Sequence, residues 1–347
     1  MCARITASQI AKELGLAQST VSHVLNGRGD ELGIRPDTQL RVRETANELG
    51  YMPNVSARSM RSGRFGAAAL IQSAYRLYLP HGLLFGLTEG LSQRNMRLTV
   101  AETVDTQWER TANLPQVMRE LSVDGLFINT LLNAPPALLG MVHASHVPAV
   151  WINLDQPEDC VYPDDLAGAQ KATKHLLKLG HRDIAFIKAG PYQKGVMHYS
   201  ITARRGGYEK AMRAVRLQPR VLELPPGPVW EKGLMEDSRE KEALALLQAP
   251  DRPSALIAYE MDTALPILFA ARTLGLRVPG DLSLLMFHDS FNPVIGISIT
   301  TMMLNTKEVG LAAVAMLEEK MLRPDVALPP QPVEETLFEG QTCGPPQ

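Results

Sequence analysis

Two short stripes of apolar residues open the chain, and within each stripe the spacing is three or four residues, as on one face of an α-helix. The stripes are Ile10, Ala11 and Leu14, then Val21, Val24 and Leu25. Thr6 and Gln9 have the spacing of a capping box, and Gly15 stands where the first helix is expected to end. Two helices of about eight residues joined by a short turn that contains Gly are typical of a helix-turn-helix.

The polar side of the second helix carries short hydrogen-bonding side chains: Gln18, Ser19, Ser22 and His23. Such a face fits the major groove of DNA and offers donors and acceptors to base edges. A helical hairpin with a solvated polar face has the same spacing, so the spacing alone leaves both interpretations open.

A third helix is predicted after Pro36, with a stripe made of Thr38, Val42, Ala46 and Leu49. Gly50 and Pro53 are expected to end it. The following segment, 54–63, has helix-compatible residues between an Asn and a Gly but spans barely two turns, which is marginal for an isolated helix in water. We expect it to become ordered only on a partner or a duplex.

From residue 65 onward, short continuous apolar runs alternate with helical patterns, as in parallel strands that are buried on both faces and joined by helices. The clearest runs are 67–71, 125–129, 184–187, 255–258 and 282–287. Two successive series of this kind predict two α/β lobes, with a ligand cleft outside the strand ends.

Charge is distributed unevenly along the 347 residues, whose net charge is −2. Residues 1–64 carry nine Lys or Arg and six acidic residues, so a basic head precedes a mildly acidic body. Aromatic residues make up only 5%, which argues against a module that stacks bases on aromatic platforms.

The three cysteines, Cys2, Cys160 and Cys343, are far apart and odd in number, which predicts reduced thiols rather than a disulfide framework or a zinc site. The N-terminal residues contain no apolar run like that of a secretory signal. No stretch reaches the roughly 20 apolar residues that a membrane span requires. We therefore expect a cytoplasmic protein.

Catalytic motifs are missing from the body: there is no Gly-x-Gly-x-x-Gly after a strand, no P-loop, no Gly-x-Ser-x-Gly and no His-Glu-x-x-His. Cys160 near His143 and His146 is more simply interpreted as a buried thiol near surface histidines. Asp164-Asp165 is better interpreted as solvated or sugar-binding carboxylates than as a metal pair. We expect no enzyme activity, no metal and no cofactor.

Two groups of residues carry a family resemblance. In the head they are Thr6, Ile10-Ala11, Gly15-Leu16, Ser19-Thr20-Val21-Ser22, Val24-Leu25-Asn26-Gly27, Gly50-Tyr51, Pro53-Asn54 and Ala57-Arg58-Ser59. In the body they are the segments 175–187, 204–208, 278–283 and 299–301. This order resembles the lactose-repressor (LacI) family of transcription regulators. The resemblance implies a small all-α helix-turn-helix head and an α/β, two-lobed effector domain like the periplasmic binding proteins.

In that family the second helix enters the major groove, and the hinge helices of a dimer pair in the minor groove. The resemblance implies base readers at Gln18, Ser19 and His23, and phosphate or framework contacts at Thr6, Ser22 and Asn26. In the hinge it implies DNA contacts at Asn54, Ala57 and Arg58, and an apolar wedge at Met60.

Three features of the head depart from the family pattern. Position 23 is usually Arg, which grips guanine with two donors, and His23 cannot match that contact. The wedge is usually Leu, and Met60 is comparably apolar but more flexible. The loop 27–33 is longer than usual, which predicts either an additional contact to the DNA backbone or a tolerated insertion.

For the cleft, the resemblance implies effector contacts at Asp164 and Arg204, joined by Glu260 and His288. Arg offers donors in a fixed fork and Asp offers acceptors, a combination that suits the vicinal hydroxyls of a sugar. His288 adds a donor expected to titrate near neutral pH. Leu79-Pro80, Glu260-Met261 and Met286-Phe287-His288 differ from the usual family residues, which predicts either an unusual carbohydrate or sugar acid or a cleft that has lost its ligand.

We predict a helix-turn-helix DNA-binding domain over 1–53, a hinge over 54–64 and an effector-binding and dimerisation domain over 65–340. Its first lobe is expected to comprise 65–163 and 303–325, and its second lobe 164–302 and 326–340. The predicted function is that of a homodimeric regulator, a repressor of carbohydrate-related genes, on a pseudo-palindromic operator. The alternatives are a sugar-binding protein without regulatory DNA contact and an effector-independent regulator.

Overall fold

The structure is a computed structural model that describes residues 5–51, 64–73, 79–103, 123–129, 136–189, 198–225, 239–290 and 296–347. The chain divides into two compact units, one ending at Phe65 and the other beginning at Gly66. Across the described ranges, no helix is long and apolar enough to cross a membrane.

The first unit contains the helices α1 (Ala7–Leu14), α2 (Gln18–Leu25) and α3 (Pro36–Glu48). Their apolar stripes meet in one small core made of Ile10, Ala11, Val21, Val24, Val42 and Ala46. The predicted helix-turn-helix is thereby confirmed, because the two short stripes face each other and α3 covers both.

One residue of the predicted third stripe does not belong to that core. Leu49 follows the end of α3 and is 39% exposed. Gln39 is buried instead, since its side-chain amide donates hydrogen bonds to the carboxylate of Asp30 and to the carbonyl of Ile34, both at 2.8 Å. A buried amide is stable there because those two partners satisfy it.

The second unit alternates strands and helices. Its strands are β1 (Ala67–Ser73), β2 (Arg97–Thr103), β3 (Gly125–Asn129), β4 (Ala149–Ile152), β5 (Cys160–Pro163), β6 (Ile184–Ala189), β7 (Arg220–Leu224), β8 (Ala255–Ala258), β9 (Ser283–His288), β10 (Thr300–Met303), β11 (Gln331–Val333) and β12 (Thr336–Phe338). Its helices are α4 (His81–Ser92), α5 (Pro136–Ser145), α6 (Asp165–Lys178), α7 (Tyr199–Ala214), α8 (Arg239–Gln248), α9 (Met261–Thr273) and α10 (Thr306–Leu322).

Two six-stranded sheets organise this unit. The first has the order β11-β5-β4-β3-β1-β2, and the second has the order β12-β10-β9-β8-β6-β7. All pairs are parallel except β10 with β12. Central strands such as β8 are buried along their whole length, as sheets covered by helices on both faces require. We refer to the first sheet with α4, α5 and α10 as the first lobe, and to the second sheet with α6–α9 as the second lobe.

The chain passes between the two lobes three times: from β5 to α6, from β10 to α10, and from β11 to β12. The third passage corrects the predicted division of the chain, in which all of 326–340 belonged to the second lobe. β11 pairs with β5 in the first sheet, and only β12 pairs with β10 in the second. Residues 334–335 are therefore a connection between the lobes.

Two features of this unit were not predicted. The first is the start of α7, which begins at Tyr199, so Arg204 lies inside this helix. The short strands β5, β11 and β12 were not predicted at all. β5 and β11 each contain a proline, which weakens a strand pattern, and β11 tolerates its proline at the edge of the first sheet.

Two adjacent glycines in α7 provide a test of how tightly α7 packs on α6. A Cβ on Gly207 would overlap the carbonyl oxygen of Leu166 and lie 2.8 Å from the Cβ of Ala169, whereas a Cβ on Gly206 would meet nothing within 4 Å. We expect Gly207→Ala to lower the free energy of unfolding by about 1–3 kcal/mol through overpacking. Gly206→Ala is expected to leave it unchanged or to raise it, because Ala is the better helix former. Urea denaturation of both variants checks this; equal effects would contradict the close packing.

Candidate DNA-reading helix and effector site

The start of α1 is fixed by the predicted capping box, which the structure confirms. The hydroxyl of Thr6 accepts the backbone N–H of Gln9 at 3.3 Å, and the side-chain oxygen of Gln9 accepts the backbone N–H of Thr6 at 2.8 Å. Gly15 then ends the helix with φ 65°, in the left-handed region that glycine adopts without strain. Thr6 thus has a framework role in the described head.

The outer side of α2 is polar and accessible. Val21 and Val24 are buried beneath it, whereas Gln18 and Ser19 are exposed and His23 is partly buried. Because the two valines fix the rotation of α2 on its core, the side chains of Gln18, Ser19 and His23 project away from that core. These are short donors and acceptors on one face of a helix, which is what readout in a major groove requires.

Asn26 and Ser22 are joined to each other at the end of α2. The side-chain amide of Asn26 donates to the carbonyl of Ser22 at 2.7 Å and to its hydroxyl at 3.3 Å. Asn26 itself is exposed. The remaining predicted DNA contacts, Asn54, Ala57, Arg58 and Met60, lie outside the described residues.

The long loop 27–33 is tied to α3 rather than free. Gly29 is buried against the side chain of Gln39, and Gln39 binds Asp30 and the carbonyl of Ile34 on either side. Arg28 is exposed and forms an ion pair with Glu31 at 3.0 Å. The loop therefore has a defined shape in the described head.

In the second unit, Arg204 lies at the carboxyl ends of β8 and β9, where open α/β sheets bind their ligands. Its Nε donates to a carboxylate oxygen of Asp165 at 2.6 Å, and its Nη1 donates to the carbonyl of Tyr259 at 2.6 Å. The guanidinium carbon is 4.7 Å from the ring centroid of Tyr259 and 4.4 Å from that of Phe287. Burial opposes the charge of Arg204, but the combined effects of Asp165, Tyr259 and Glu335 outweigh it, so the pKa of Arg204 is raised.

The two neighbouring aspartates have different roles. Asp164 caps α6 by accepting the backbone N–H of Ala167 at 3.1 Å, and Asp165, which is 2% exposed, is the ion-pair partner of Arg204. Asp164 is the residue that the resemblance selects as an effector contact. Asp165, not Asp164, is the acid that contacts Arg204.

A second acid, Glu335, is buried beside this pair on the connection between β11 and β12. Burial and the neighbouring carboxylate of Asp165 raise the pKa of Glu335 well above its usual range. The side chain of Glu335 occupies the space that the missing Cβ of Gly168 leaves open.

Glu260 lies shortly after β8 and His288 is the last residue of β9, on the same edge of the sheet as Arg204. His288 Nδ1 is 3.5 Å from a carboxylate oxygen of Asp289. Burial nevertheless lowers the pKa of His288, against the opposing effects of Asp289 and Asp262. His288 is thus neutral at neutral pH, and its titration moves to the acid side of the range expected from the sequence.

Sequence reasoning missed Tyr259, Glu335 and His198, which lie around Arg204 in the described structure. It interpreted Asp165, together with Asp164, as a solvated or sugar-binding carboxylate, whereas Asp165 is buried against Arg204. Glu335 lay in a segment with no predicted element. His198 immediately precedes the part of α7 that was not predicted. Within the described ranges, no three His, Cys, Asp or Glu side chains are grouped so that they could hold a metal ion.

Comparison with known proteins agrees with this geometry. Residues 6–54 match the profile of the bacterial regulatory proteins of the lacI family, and residues 173–343 match a periplasmic binding protein-like domain. The chain is 26% identical over 318 residues to the HTH-type transcriptional regulator DegA of Bacillus subtilis strain 168, covering 88% of each chain.

Two solved structures share the fold. The lac repressor dimer bound to operator and the anti-inducer ONPF aligns with a TM-score of 0.79 and 21% identity, over 98% of this chain and 99% of that one. A complex of the transcriptional regulator CelR with cellobiose aligns with a TM-score of 0.65 and 24% identity, over 98% and 100%. With a helix-turn-helix head, two periplasmic-binding-protein-like lobes and both family matches in order, the chain belongs to the LacI family of DNA-binding transcription regulators.

Proposed function

We propose that this chain is a sequence-specific repressor that reads an operator with Gln18, Ser19 and His23 of α2. The observation that carries this proposal is the exposed polar face of α2, held outward by the burial of Val21 and Val24. Gln supplies both a donor and an acceptor, and Ser supplies a hydroxyl that works as either, so the face offers partners to several base edges.

The protein acts as a homodimer on a pseudo-palindrome in this proposal, because two heads related by a two-fold axis match two half-sites. The structurally similar lac repressor was solved as a dimer on its operator, which supports the same arrangement here. Asn54, Ala57, Arg58 and Met60 are proposed to contact the minor groove between the half-sites. A regulator of this kind works where the chromosome is, which places it in the cytoplasm.

A salt series tests the DNA-binding step. Binding to a random duplex is expected to weaken steeply as salt rises, because Lys and Arg contacts to phosphates release counterions. A sugar-binding protein without DNA contact, or a metabolic enzyme, gives no binding to the duplex at any salt concentration, and that result would refute the proposal.

His23→Ala tests base reading. We expect the variant to lose preference at one base pair in each half-site, by about 1–3 kcal/mol at that position, with little change in non-specific binding. Asn47→Ala, an exposed position on α3, is the control and is expected to keep wild-type discrimination. Competition binding against an operator library with every position varied measures both. If discrimination by His23→Ala is unchanged at every position, His23 does not read a base.

For the cleft we propose an effector that is a neutral polyhydroxylated molecule, a carbohydrate rather than a sugar acid. The charge of Arg204 is already balanced by Asp165, so its remaining N–H donors are suited to hydroxyl oxygens and have no charge to spare for a carboxylate. Asp164 adds an acidic group next to this pair, and Asp262 and Asp289 add two more beside His288. An anionic ligand would have to enter against these three carboxylates.

The aromatic rings around Arg204 fit the same class of ligand. The rings of Tyr259 and Phe287 lie against the guanidinium, and these contacts hold its plane in one orientation and fix the direction of its donors. The solved complex of CelR contains cellobiose, a neutral sugar, in a protein of the same fold. Asp164, Glu260 and His288 are proposed as further contacts to hydroxyl groups.

Calorimetry against matched pairs of neutral sugars and the corresponding sugar acids tests the effector class. We expect measurable heat with at least one neutral sugar, weaker binding of its acid, and loss of binding in Arg204→Ala. Arg205→Ala is the matched control, because the adjacent Arg205 is exposed and pairs with Glu209 on the surface of α7.

Arg204→Ala leaves Asp165 buried without its partner, so the double variant Arg204→Ala/Asp165→Ala is measured as well. Binding that survives in the double variant would exclude Arg204 as a contact. Preference for the sugar acid would overturn the proposed class, and no heat with any sugar would favour an effector-independent regulator.

A further inference from the structure

We propose that His198 is an acid-sensitive latch between the two lobes: in its neutral form it holds them together, and its protonation favours their separation. The inference rests on contacts between described residues of the two lobes. It is independent of whether the cleft binds a sugar.

His198 connects the lobes directly. It precedes α7 in the second lobe, and its Nε2 is 2.9 Å from the carbonyl oxygen of Asn153, which follows β4 in the first lobe. Asn153 is held in place because its N–H donates to the carbonyl of Val161 at 2.9 Å. The rings of Tyr162 and Tyr199, also one from each lobe, meet edge to face with centroids 6.0 Å apart.

The hydrogen bonds around His198 define its neutral tautomer. The backbone N–H of Ser200 donates to Nδ1 at 3.4 Å, and the Ser200 hydroxyl is 2.7 Å from the same atom. The hydroxyl of Tyr259 lies 2.8 Å from that of Ser200. Because the carbonyl of Asn153 can only accept, Nε2 carries the proton and Nδ1 is the acceptor, so His198 caps α7 and donates to Asn153 at the same time.

A second proton on this ring is disfavoured by its surroundings. Burial lowers the pKa of His198 below its ordinary value of 6.5, against the opposing effects of Asp165 and the carbonyl of Asn153. A proton on Nδ1 would face the N–H of Ser200 and the positive end of the α7 dipole, and Arg204 adds a second positive charge nearby. The titratable and charged groups that face His198 are Asp165 on α6, Tyr199 and Arg204 on α7, and Tyr259 on β8.

Proton binding is linked to the position of the lobes through this ring. We call the arrangement in which His198 is bonded to Asn153 the closed arrangement. In it the pKa of His198 is lowered, whereas a hydrated His198 titrates at its ordinary value. The stabilisation of the closed arrangement is therefore fully present above pH 6.5 and is lost as the pH falls through the lowered pKa. Acid shifts the population toward any arrangement in which His198 is exposed to water. Separation of the lobes exposes His198 because it moves Asn153 away from the ring.

Fluorescence energy transfer in the full-length protein measures this shift. Dyes are placed on His81→Cys and Glu240→Cys, two exposed positions in the first turns of α4 and α8, one on each lobe. Cys2 is replaced by Ser; Cys160 is buried, and burial raises the pKa of the Cys343 thiol to about 12, so neither remaining thiol competes for the dye.

From about pH 7.5 to about pH 5, the range in which imidazoles titrate, we expect the low-transfer population to rise several-fold in the wild-type chain. His198→Gln is expected to abolish this response, because Gln keeps one donor and one acceptor but does not titrate. His181→Gln is the matched control. His181 is also buried with a lowered pKa, but its partners Ser254, Ser283 and Gly344 all belong to the second lobe, so the response is expected to remain.

In His198→Asn, the Asn side chain caps a helix well but is too short to reach the carbonyl of Asn153 in the first lobe. This variant is expected to show the low-transfer population at both ends of the pH range. The proposal is overturned if the wild-type distances do not change with pH, if His198→Gln responds like the wild type, or if His198→Asn stays closed. Loss of sugar binding would refute the proposed effector but would leave this outcome unaffected.

Discussion

The buried ion pair between Arg204 and Asp165 is the interaction on which the arrangement of the second unit depends. Both side chains are almost entirely removed from water, so each charge is tolerated only because the other is present. Removing one partner of such a pair typically costs about 3–5 kcal/mol, since an uncompensated charge is left inside. Arg204 is therefore a structural residue before it is a ligand contact.

The position of this pair explains why it matters for the lobes. Asp165 begins α6 directly after the chain passes from β5 of the first lobe into the second lobe, and Glu335 lies in the passage from β11 to β12. Asn305, in the passage from β10 to α10, is bonded to the passage from β11 to β12. Its side-chain amide donates to the carbonyl of Glu334 at 2.7 Å, and its side-chain oxygen accepts the hydroxyl of Thr336 at 3.1 Å. The carboxylate of Asp165 thus pairs with the guanidinium, and the carboxyl of Glu335 lies beside Asp165, so a change at Arg204 alters the surroundings of two segments that join the lobes.

The sequence predicted the parts of the fold that local patterns determine. The run 125–129 and the run 255–258 were predicted with the bounds that β3 and β8 have, because buried parallel strands are continuously apolar. The first turns of α7 were not predicted, and the helix continues through Gly206 and Gly207, which are poor helix formers. Gly207 is in α7 because of packing on α6, a tertiary constraint that no local pattern contains.

The site was less predictable for the same reason. Family resemblance selected Arg204, but its partner depends on which of two adjacent aspartates turns inward at the start of α6, and that is decided by the cap that Asp164 forms. The hydrogen bond between His198 and Asn153 joins residues that are 45 positions apart and belong to different lobes. Neither pairing has a signature in the spacing of residues along the chain.

Hydrogen bonds run from Asn153 through His198 and Ser200 to the hydroxyl of Tyr259. The backbone carbonyl of Tyr259 accepts from Arg204, so Tyr259 connects the contact between the lobes to the proposed effector site. A ligand shifts an equilibrium only through its different affinity for the two states. A hydroxyl that binds the outer donors of Arg204 without displacing Asp165 keeps the pair intact and favours the arrangement described here. A ligand that draws the guanidinium away breaks the pair and the bond to Tyr259 together. The same site therefore has the physical means to stabilise either state, and the geometry of the ligand at Arg204 decides which.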